Sequence, residues 1–370
     1  MRIAMIGQRG LPATYGGIER HVEELSIRLV ERGHEVVVFC RKNYTISVAE
    51  SYHGVKLLFA PTYQSKHLEA AVHSAVASLL TVGRGFDIVH YHAVGPGIWS
   101  PIPRLLSRAK VVQTIHGLDQ DHAKWGRFAR RVLRVGDWMS QRVPDAVVVV
   151  AGYLLDHYRG RPALTRHIPN GVASRSGRDD RILSRLGLRP LQYVLFVGRL
   201  IPDKGVDQLI RAYSEVGTDS RLVVVGGSSY TDDYELMIKQ LASDDPRVVL
   251  PGYVYGDELN SLYAHAGVYA QPSLREGLPL TVLEALSYGR SVVLSDIPAH
   301  REILNASRPG GRLYPVGDVR ALSAAIDEAL ASSDREREPS RLAGEATIDR
   351  YRWDSVTNQT ENLYAQLLAS

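Results

Sequence analysis

The chain has 370 residues, 45% of them apolar, which suits two ordinary globular domains. A single cysteine, Cys40, excludes an internal disulfide and points to a reducing cytoplasm, and no run reaches the ~18 apolar residues that span a bilayer. Residues 1–172 hold 22 Lys and Arg against 13 Asp and Glu, a balance of +9, whereas residues 173–370 hold 22 against 27, a balance of −5. The first half is therefore expected to face something anionic. No basic-aromatic recognition motif or zinc spacing supports nucleic acid, so a membrane surface or a phosphate-bearing acceptor fits better.

Apolar runs alternate with helical patterns, the signature of parallel sheets covered by helices. The opening seven residues read as a first strand (2–7) and are too short in their apolar part for a signal peptide. The segment Gly7-Gln-Arg-Gly10-Leu-Pro-Ala-Thr-Tyr15-Gly16-Gly17-Ile-Glu19-Arg20 then leads into a helix. It lacks the dinucleotide fingerprint, but Gly16 and Gly17 would let backbone approach a ligand at a helix start. Further strands are expected at 35–40, 56–59, 87–92, 111–116 and 146–150.

His90 and His92 fall on one face of the 87–92 strand, a geometry metals use, yet no third ligand follows at convincing spacing and no metal is expected. His116, at the end of its strand, suits either a hydrogen bond to a sugar hydroxyl or leaving phosphate, or an ordinary place in the core. Asp119-Gln-Asp121 matches the Asp-x-Asp pattern by which many sugar transferases hold a cation, but it follows a His-Gly turn and Arg199 with Lys204 already supply positive charge, so no metal dependence is expected. The stretch from Lys124 and Trp125 to Met139 sets Arg127, Arg130, Arg131 and Arg134 among apolar residues. It suits a membrane surface and a surface helix packed on the sheet equally well.

The small, polar run 173–180 reads as a linker. Beyond it, strands are expected at 193–198, 221–226, 248–252, 268–271 and 291–296. Gly198-Arg199-Leu-Ile-Pro-Asp-Lys204-Gly205 is a tight loop whose two cations match a diphosphate, the Arg as a planar fork and the Lys as a point charge. Ser273-Leu-Arg-Glu276-Gly277-Leu278-Pro279 joins a strand to a helix containing Glu284. A helix start offers N–H groups and a positive dipole end to an anion, and Pro279 suits the first helical position. Five helical residues rise about 7–8 Å, so Glu276 and Glu284 should meet opposite ends of an extended ligand. Hydroxyls at both ends and phosphate between them describe a nucleotide sugar. The last segment, from Trp353, carries an amphipathic helical pattern with Asp354 as its N-cap.

These residues resemble the family 4 glycosyltransferases of the GT-B fold, nearly end to end. The motifs are Gly16-Gly17-Ile-Glu19-Arg20, Asp87-Ile-Val-His-Tyr-His92, Thr114-Ile-His116-Gly117, Pro169-Asn170-Gly-Val172, Gly198-Arg199-Leu with Lys204-Gly205, Val225-Gly226-Gly227, and Glu276-Gly277-Leu278-Pro279 with Glu284. The opening loop, and His116-Gly-Leu-Asp119 followed by Lys124-Trp125, are similar to bacterial polysaccharide rhamnosyltransferases, from which Gln120-Asp121-His122 departs. The resemblance implies two Rossmann-like doubly wound domains facing a cleft: an acceptor-side domain at 1–172, a donor domain at 173–350, and a C-terminal helix at 351–370 crossing back to the first.

It also implies retention of anomeric configuration and no metal or other cofactor. Arg199 and Lys204 would hold the donor diphosphate, assisted by the backbone of Gly277 and Leu278. Glu284 would bind ribose, Glu276 the donor sugar, and His116 would line the sugar pocket. Gly16 and Gly17 would close over phosphate or acceptor. Asn170, Gly226 and Pro279 fall on the donor side, and Tyr15, Glu19, Arg20, Asp119, Lys124 and Trp125 on the acceptor side. The donor would be dTDP-L-rhamnose or a UDP- or GDP-sugar, and the acceptor a glycan or polyprenyl-diphosphate-linked hydroxyl at the cytoplasmic membrane face. The rival readings are a sugar-nucleotide epimerase with the same layout and a noncatalytic nucleotide-binding module.

Overall fold

The computed structural model describes residues 1–13, 16–44, 50–62, 69–118, 126–160, 163–172, 177–228, 232–307, 311–332 and 337–370. The chain divides into two compact units, Met1–Gly171 with Trp353–Ser370, and Val172–Arg352. Each is an α/β unit on a largely parallel sheet, as the alternation of patterns predicts.

The first unit holds eight strands: β1 (Arg2–Ile6), β2 (Glu35–Cys40), β3 (Ser51–Tyr52), β4 (Val55–Phe59), β5 (Ile88–His92), β6 (Lys110–Ile115), β7 (Ala146–Val149) and β8 (Leu164–His167). Their order is β3-β4-β2-β1-β5-β6-β7-β8. All neighbours pair in parallel except β3 and β4, which form a short hairpin. Central strands buried on both faces read as continuous apolar runs, and Val36 to Cys40 are buried throughout. Burial also pushes the Cys40 thiol up to about 11, which leaves it inert at neutral pH.

The second unit holds β9 (Tyr193–Val197), β10 (Arg221–Val225), β11 (Val248–Gly252), β12 (Val268–Gln271), β13 (Ser291–Ser295) and β14 (Gly311–Tyr314), all parallel, in the order β11-β10-β9-β12-β13-β14. Strand order reverses between β1 and β5 in one sheet and between β9 and β12 in the other. Ligands of open α/β sheets sit beyond the carboxyl ends of strands at such reversals. Those ends carry Gly7 and His92 in the first unit, and the 198–205 and 272–279 loops in the second.

The expected strands all form, with ends within about one residue. Three more, β3, β8 and β14, lie at the ends of the sheet orders. β8 (Leu-Thr-Arg-His) and β14 (Gly-Arg-Leu-Tyr) are short and half-exposed, so they carry no continuous apolar signal. The last helix, Trp353–Ala369, packs within the first unit against the helix Gly17–Glu31. Glu361 accepts from Arg32 at 2.9 Å and contacts His34 at 2.8 Å, and Tyr364 meets His90 Nδ1 at 2.6 Å. Asp354 is not the cap; it sits one residue inside, in the first turn, where its charge faces the positive helix end. Among the described residues no helix is long and apolar enough to cross a membrane.

Two consequences can be measured. Tyr364→Phe leaves a buried His90 nitrogen unpaired and should cost about 1–3 kcal/mol in denaturant unfolding; an unchanged midpoint would contradict that tie. Burial lowers His73 and His300 from 6.5 to about 4. The unfolded chain therefore binds protons that the folded chain refuses between about pH 6.5 and 4. Each group should remove up to about 1.4 kcal/mol of stability per pH unit as pH falls through that window. The fall in unfolding temperature from pH 7 to 5 should be shallower in His73→Leu.

Candidate functional site

In the second unit two neighbouring loops build one polar site. β9 ends at Val197, and the chain passes Gly198 and the half-buried Arg199 into a short turn, Pro202–Lys204, before the helix Val206–Ser214. β12 ends at Gln271 and leads through Ser273, Glu276, Gly277 and Leu278 to the helix Leu280–Ser287. The two loops are tied together. Leu274 N donates to Asp203 O at 2.9 Å. Gly205 adopts a left-handed φ of 64°, and a Cβ there would lie 2.4 Å from Pro272 O. Only glycine meets both demands.

The centre of the site is Glu276. Its Oε1 accepts from Lys204 Nζ at 2.5 Å, from Ser273 Oγ at 2.6 Å and from Gln271 Nε2 at 2.7 Å. Gln271 Oε1 in turn accepts from Tyr269 OH and from Thr281 Oγ1. Burial alone would raise the Glu276 carboxyl, but the Lys204 charge and the hydrogen bonds from Lys204 and Ser273 outweigh it and hold the group below its usual range. His300 stands in the same field, with Nδ1 2.8 Å from Ser295 O and Nε2 buried without a partner.

Gly226 closes the other side of the loop. Its φ is 138°, and a Cβ would lie 1.8 Å from Gly198 O, so any side chain would push the Arg199 loop away. Pro279 precedes the helix as its N-cap, one position earlier than its residue type predicts. The N–H groups of the first helical residues have no intrahelical partners. Glu284 is the fifth residue of that helix and is half-buried. Arg199, Lys204, Glu276, Gly277 and Leu278 thus share one switch-point region, and Gly226 buttresses it. The tight pairing of Lys204 with Glu276 was not legible from their spacing.

In the first unit the carboxyl ends of β1, β5 and β6 gather imidazoles. His92 ends β5 and His116 follows β6. The helix Gly17–Glu31 adds His21, whose ring centroid lies 4.9 Å from that of His116 and 5.5 Å from that of His92. His92 Nδ1 is 3.2 Å from His116 Nε2, and His92 Nε2 is 3.5 Å from Met5 Sδ. His21 Nδ1 is 2.9 Å from Asn170 Oδ1, so this Asn, expected on the donor side, orients a histidine. Burial lowers His21 to about 4, and burial together with the neighbouring imidazoles takes His92 and His116 well below 6.5. All three are neutral near pH 7. His90 stacks on His92 with both nitrogens engaged, by Tyr364 OH and by Thr114 Oγ1 at 2.7 Å.

Gly16 and Gly17 are exposed at the start of their helix. Glu19 reaches back to accept from Arg9 N at 3.2 Å, bracing the loop. Arg20 is engaged along its own helix by Glu24 at 2.7 Å and Glu23 at 3.8 Å. Tyr15, Asp119, Lys124 and Trp125 lie outside the described residues, as does the Asp-x-Asp segment. Sequence reasoning passed over Gln271, Ser273, His300 and His21. The first two sit in a run read only as strand and turn, while His21 and His300 look like ordinary helical residues until the fold places them.

Comparison with known proteins agrees with this architecture. Residues 15–175 match the model described as Glycosyltransferase Family 4, and residues 187–345 match Glycosyl transferases group 1. The chain is 26% identical to the alpha-maltose-1-phosphate synthase of Mycolicibacterium smegmatis, over 100% of both proteins. Among solved structures it is similar to a sucrose-phosphate synthase from Thermosynechococcus elongatus (TM-score 0.86, 22% identity, 100% of this chain and 99% of that one). It is also similar to Anabaena HepE in complex with UDP and glucose (TM-score 0.83, 19% identity, 99% and 100%). With two parallel α/β units, each matched over most of its length by its own glycosyltransferase model, the chain is a glycosyltransferase of the GT-B fold.

Proposed function

We propose that this glycosyltransferase moves a sugar from a nucleoside-diphosphate donor to an acceptor hydroxyl, with retention and without a required metal. The carrying observation is the Lys204–Glu276 pair at the β9/β12 reversal, on the two loops that also carry Arg199 and a helix start. A donor diphosphate brings two negative charges to this point. It draws the Lys204 ammonium and the Arg199 fork toward its oxygens, leaving the ionised Glu276 to accept hydrogen bonds from sugar hydroxyls. As the glycosidic bond breaks, charge grows on the departing phosphate. Fixed cations and N–H groups stabilise that charge more than they stabilise bound donor. The acceptor hydroxyl attacks from the face of the departing phosphate, which takes its proton. Glu284 binds ribose, and His116, a neutral imidazole, contacts the donor sugar. A UDP-bound structural relative supports a nucleotide donor, and the rhamnosyltransferase-like loop motifs favour dTDP-L-rhamnose.

Lys204→Ala should lower kcat by about 10²–10³, the loss typical of removing one such stabilising group. It also leaves Glu276 buried and unpaired. Lys204→Met combined with Glu276→Gln removes that orphan charge and should fold normally yet stay inactive. Turnover of UDP-, GDP-, ADP- and dTDP-sugars, with and without acceptor, reads both effects. Near-normal activity in Lys204→Ala contradicts the diphosphate role, and acceptor-independent conversion favours an epimerase.

We also propose that the acceptor is a glycan or polyprenyl-diphosphate-linked chain at the cytoplasmic membrane face. The helix Arg127–Ser140 buries Leu133, Gly136 and Ser140 and exposes Arg127, Arg130, Arg131 and Arg134 with Val135 and Trp138. An exposed Trp among arginines suits an anionic lipid interface. Co-sedimentation with phosphatidylglycerol vesicles should exceed that with phosphatidylcholine and fall in Arg130→Glu/Arg134→Glu. Equal partitioning to both vesicle types would exclude it.

A further inference from the structure

We propose that His21, His92 and His116 form a binding site for a borderline-soft first-row cation, Zn²⁺ above all, and that its occupation takes His116 away from the donor sugar. One ring nitrogen from each histidine lies within 4.8 Å of the others. Two ligands on tetrahedral Zn²⁺, at bonds of about 2.0–2.1 Å, stand about 3.3 Å apart. His92 Nδ1 and His116 Nε2 already stand 3.2 Å apart. The third imidazole, on the helix Gly17–Glu31, has a ring nitrogen within 4.8 Å of both.

The surroundings are those of a ligand set. A metal-binding imidazole commonly donates its second N–H to a fixed acceptor, which sets its tautomer. Asn170 Oδ1 does this for His21 Nδ1, leaving Nε2 bare. Met5 Sδ, which can only accept, faces His92 Nε2, so Nδ1 keeps its lone pair and its one contact is with His116 Nε2, another member of the set. His90 is the internal control: both its nitrogens have protein partners, so it has no lone pair to offer and acts structurally.

Charge and softness select the ion. Among the described residues no carboxylate or thiolate joins the three imidazoles. A neutral, all-nitrogen set suits Zn²⁺, Cu or Ni, and is poor for Mg²⁺, Ca²⁺ or Mn²⁺, which favour oxygen. Binding needs no change in the number of protons: the proton shared between His92 and His116 moves to the outer nitrogen of the His116 ring as Nε2 turns to the metal. The site is therefore separate from the cation-independent diphosphate chemistry proposed above. Its inhibitory consequence rests on that reading of His116, whereas the binding itself does not.

Calorimetric titration of the full chain with ZnCl₂ should show one equivalent bound, and Co²⁺ should give the absorption of a tetrahedral site. Millimolar Mg²⁺ should displace neither. His21→Ala should weaken Zn²⁺ binding by more than about 100-fold and Asn170→Ala by about 10- to 100-fold, the range for groups behind a ligand. His53→Ala, which removes an exposed histidine, should leave affinity unchanged. Zn²⁺ should suppress donor turnover, with recovery on adding EDTA. No saturable Zn²⁺ binding to the wild-type chain, or unchanged affinity in His21→Ala, overturns the site. Full turnover at saturating Zn²⁺ overturns the inhibition. Absence of turnover with every donor, beside intact Zn²⁺ binding, would instead fault the proposed function.

Discussion

A buried ion pair governs the second unit. Lys204 and Glu276 have side chains only 17% and 10% exposed. Taking two charges out of water costs several kcal/mol each, and their attraction offsets this only when further hydrogen bonds satisfy them. Ser273 and Gln271 supply those bonds, and Tyr269 and Thr281 hold Gln271 in place. A pair of this kind contributes little net stability. Under the proposed function it is a charge arrangement kept ready for an anion, in which a diphosphate would replace the carboxylate as the lysine's partner.

The backbone geometry follows from the same demand. For Lys204 to reach Glu276, the loops after β9 and β12 must touch, which they do through Gly205 against Pro272 and Leu274 against Asp203. The chain after β10 also passes within contact of Gly198, the residue before Arg199, which Gly226 alone permits. Strand order places β9 and β12 side by side, so residues 72 positions apart in sequence meet at one point.

In the first unit the shared constraint is desolvation of imidazole rather than of opposite charges. Packing His21, His90, His92 and His116 together is tolerable only while they stay neutral, and burial keeps them so. Neutral rings must then find donors and acceptors or stand ready for a ligand. Tyr364 and Thr114 complete His90, whereas Asn170 orients His21, and Met5 orients His92, whose Nδ1 meets His116 Nε2.

Apolar runs determined the strand set and hence the fold class, since a doubly buried parallel strand must be continuously apolar to form. Loop composition also marked Arg199, Lys204, Glu276 and Gly226, because glycine-bounded turns with charges are legible locally. Edge strands β8 and β14 were not, because most of their side chains are only partly buried and carry no apolar periodicity. Pro279 fell one position and Asp354 two positions from their expected places, since residue preference fixes a helix end only to within a residue or two. What only tertiary structure decided was partnership. His21 meets His92 and His116, Asn170 turns to His21, and Lys204 meets Glu276, because sheet order and helix docking set those distances and no sequence spacing encodes them.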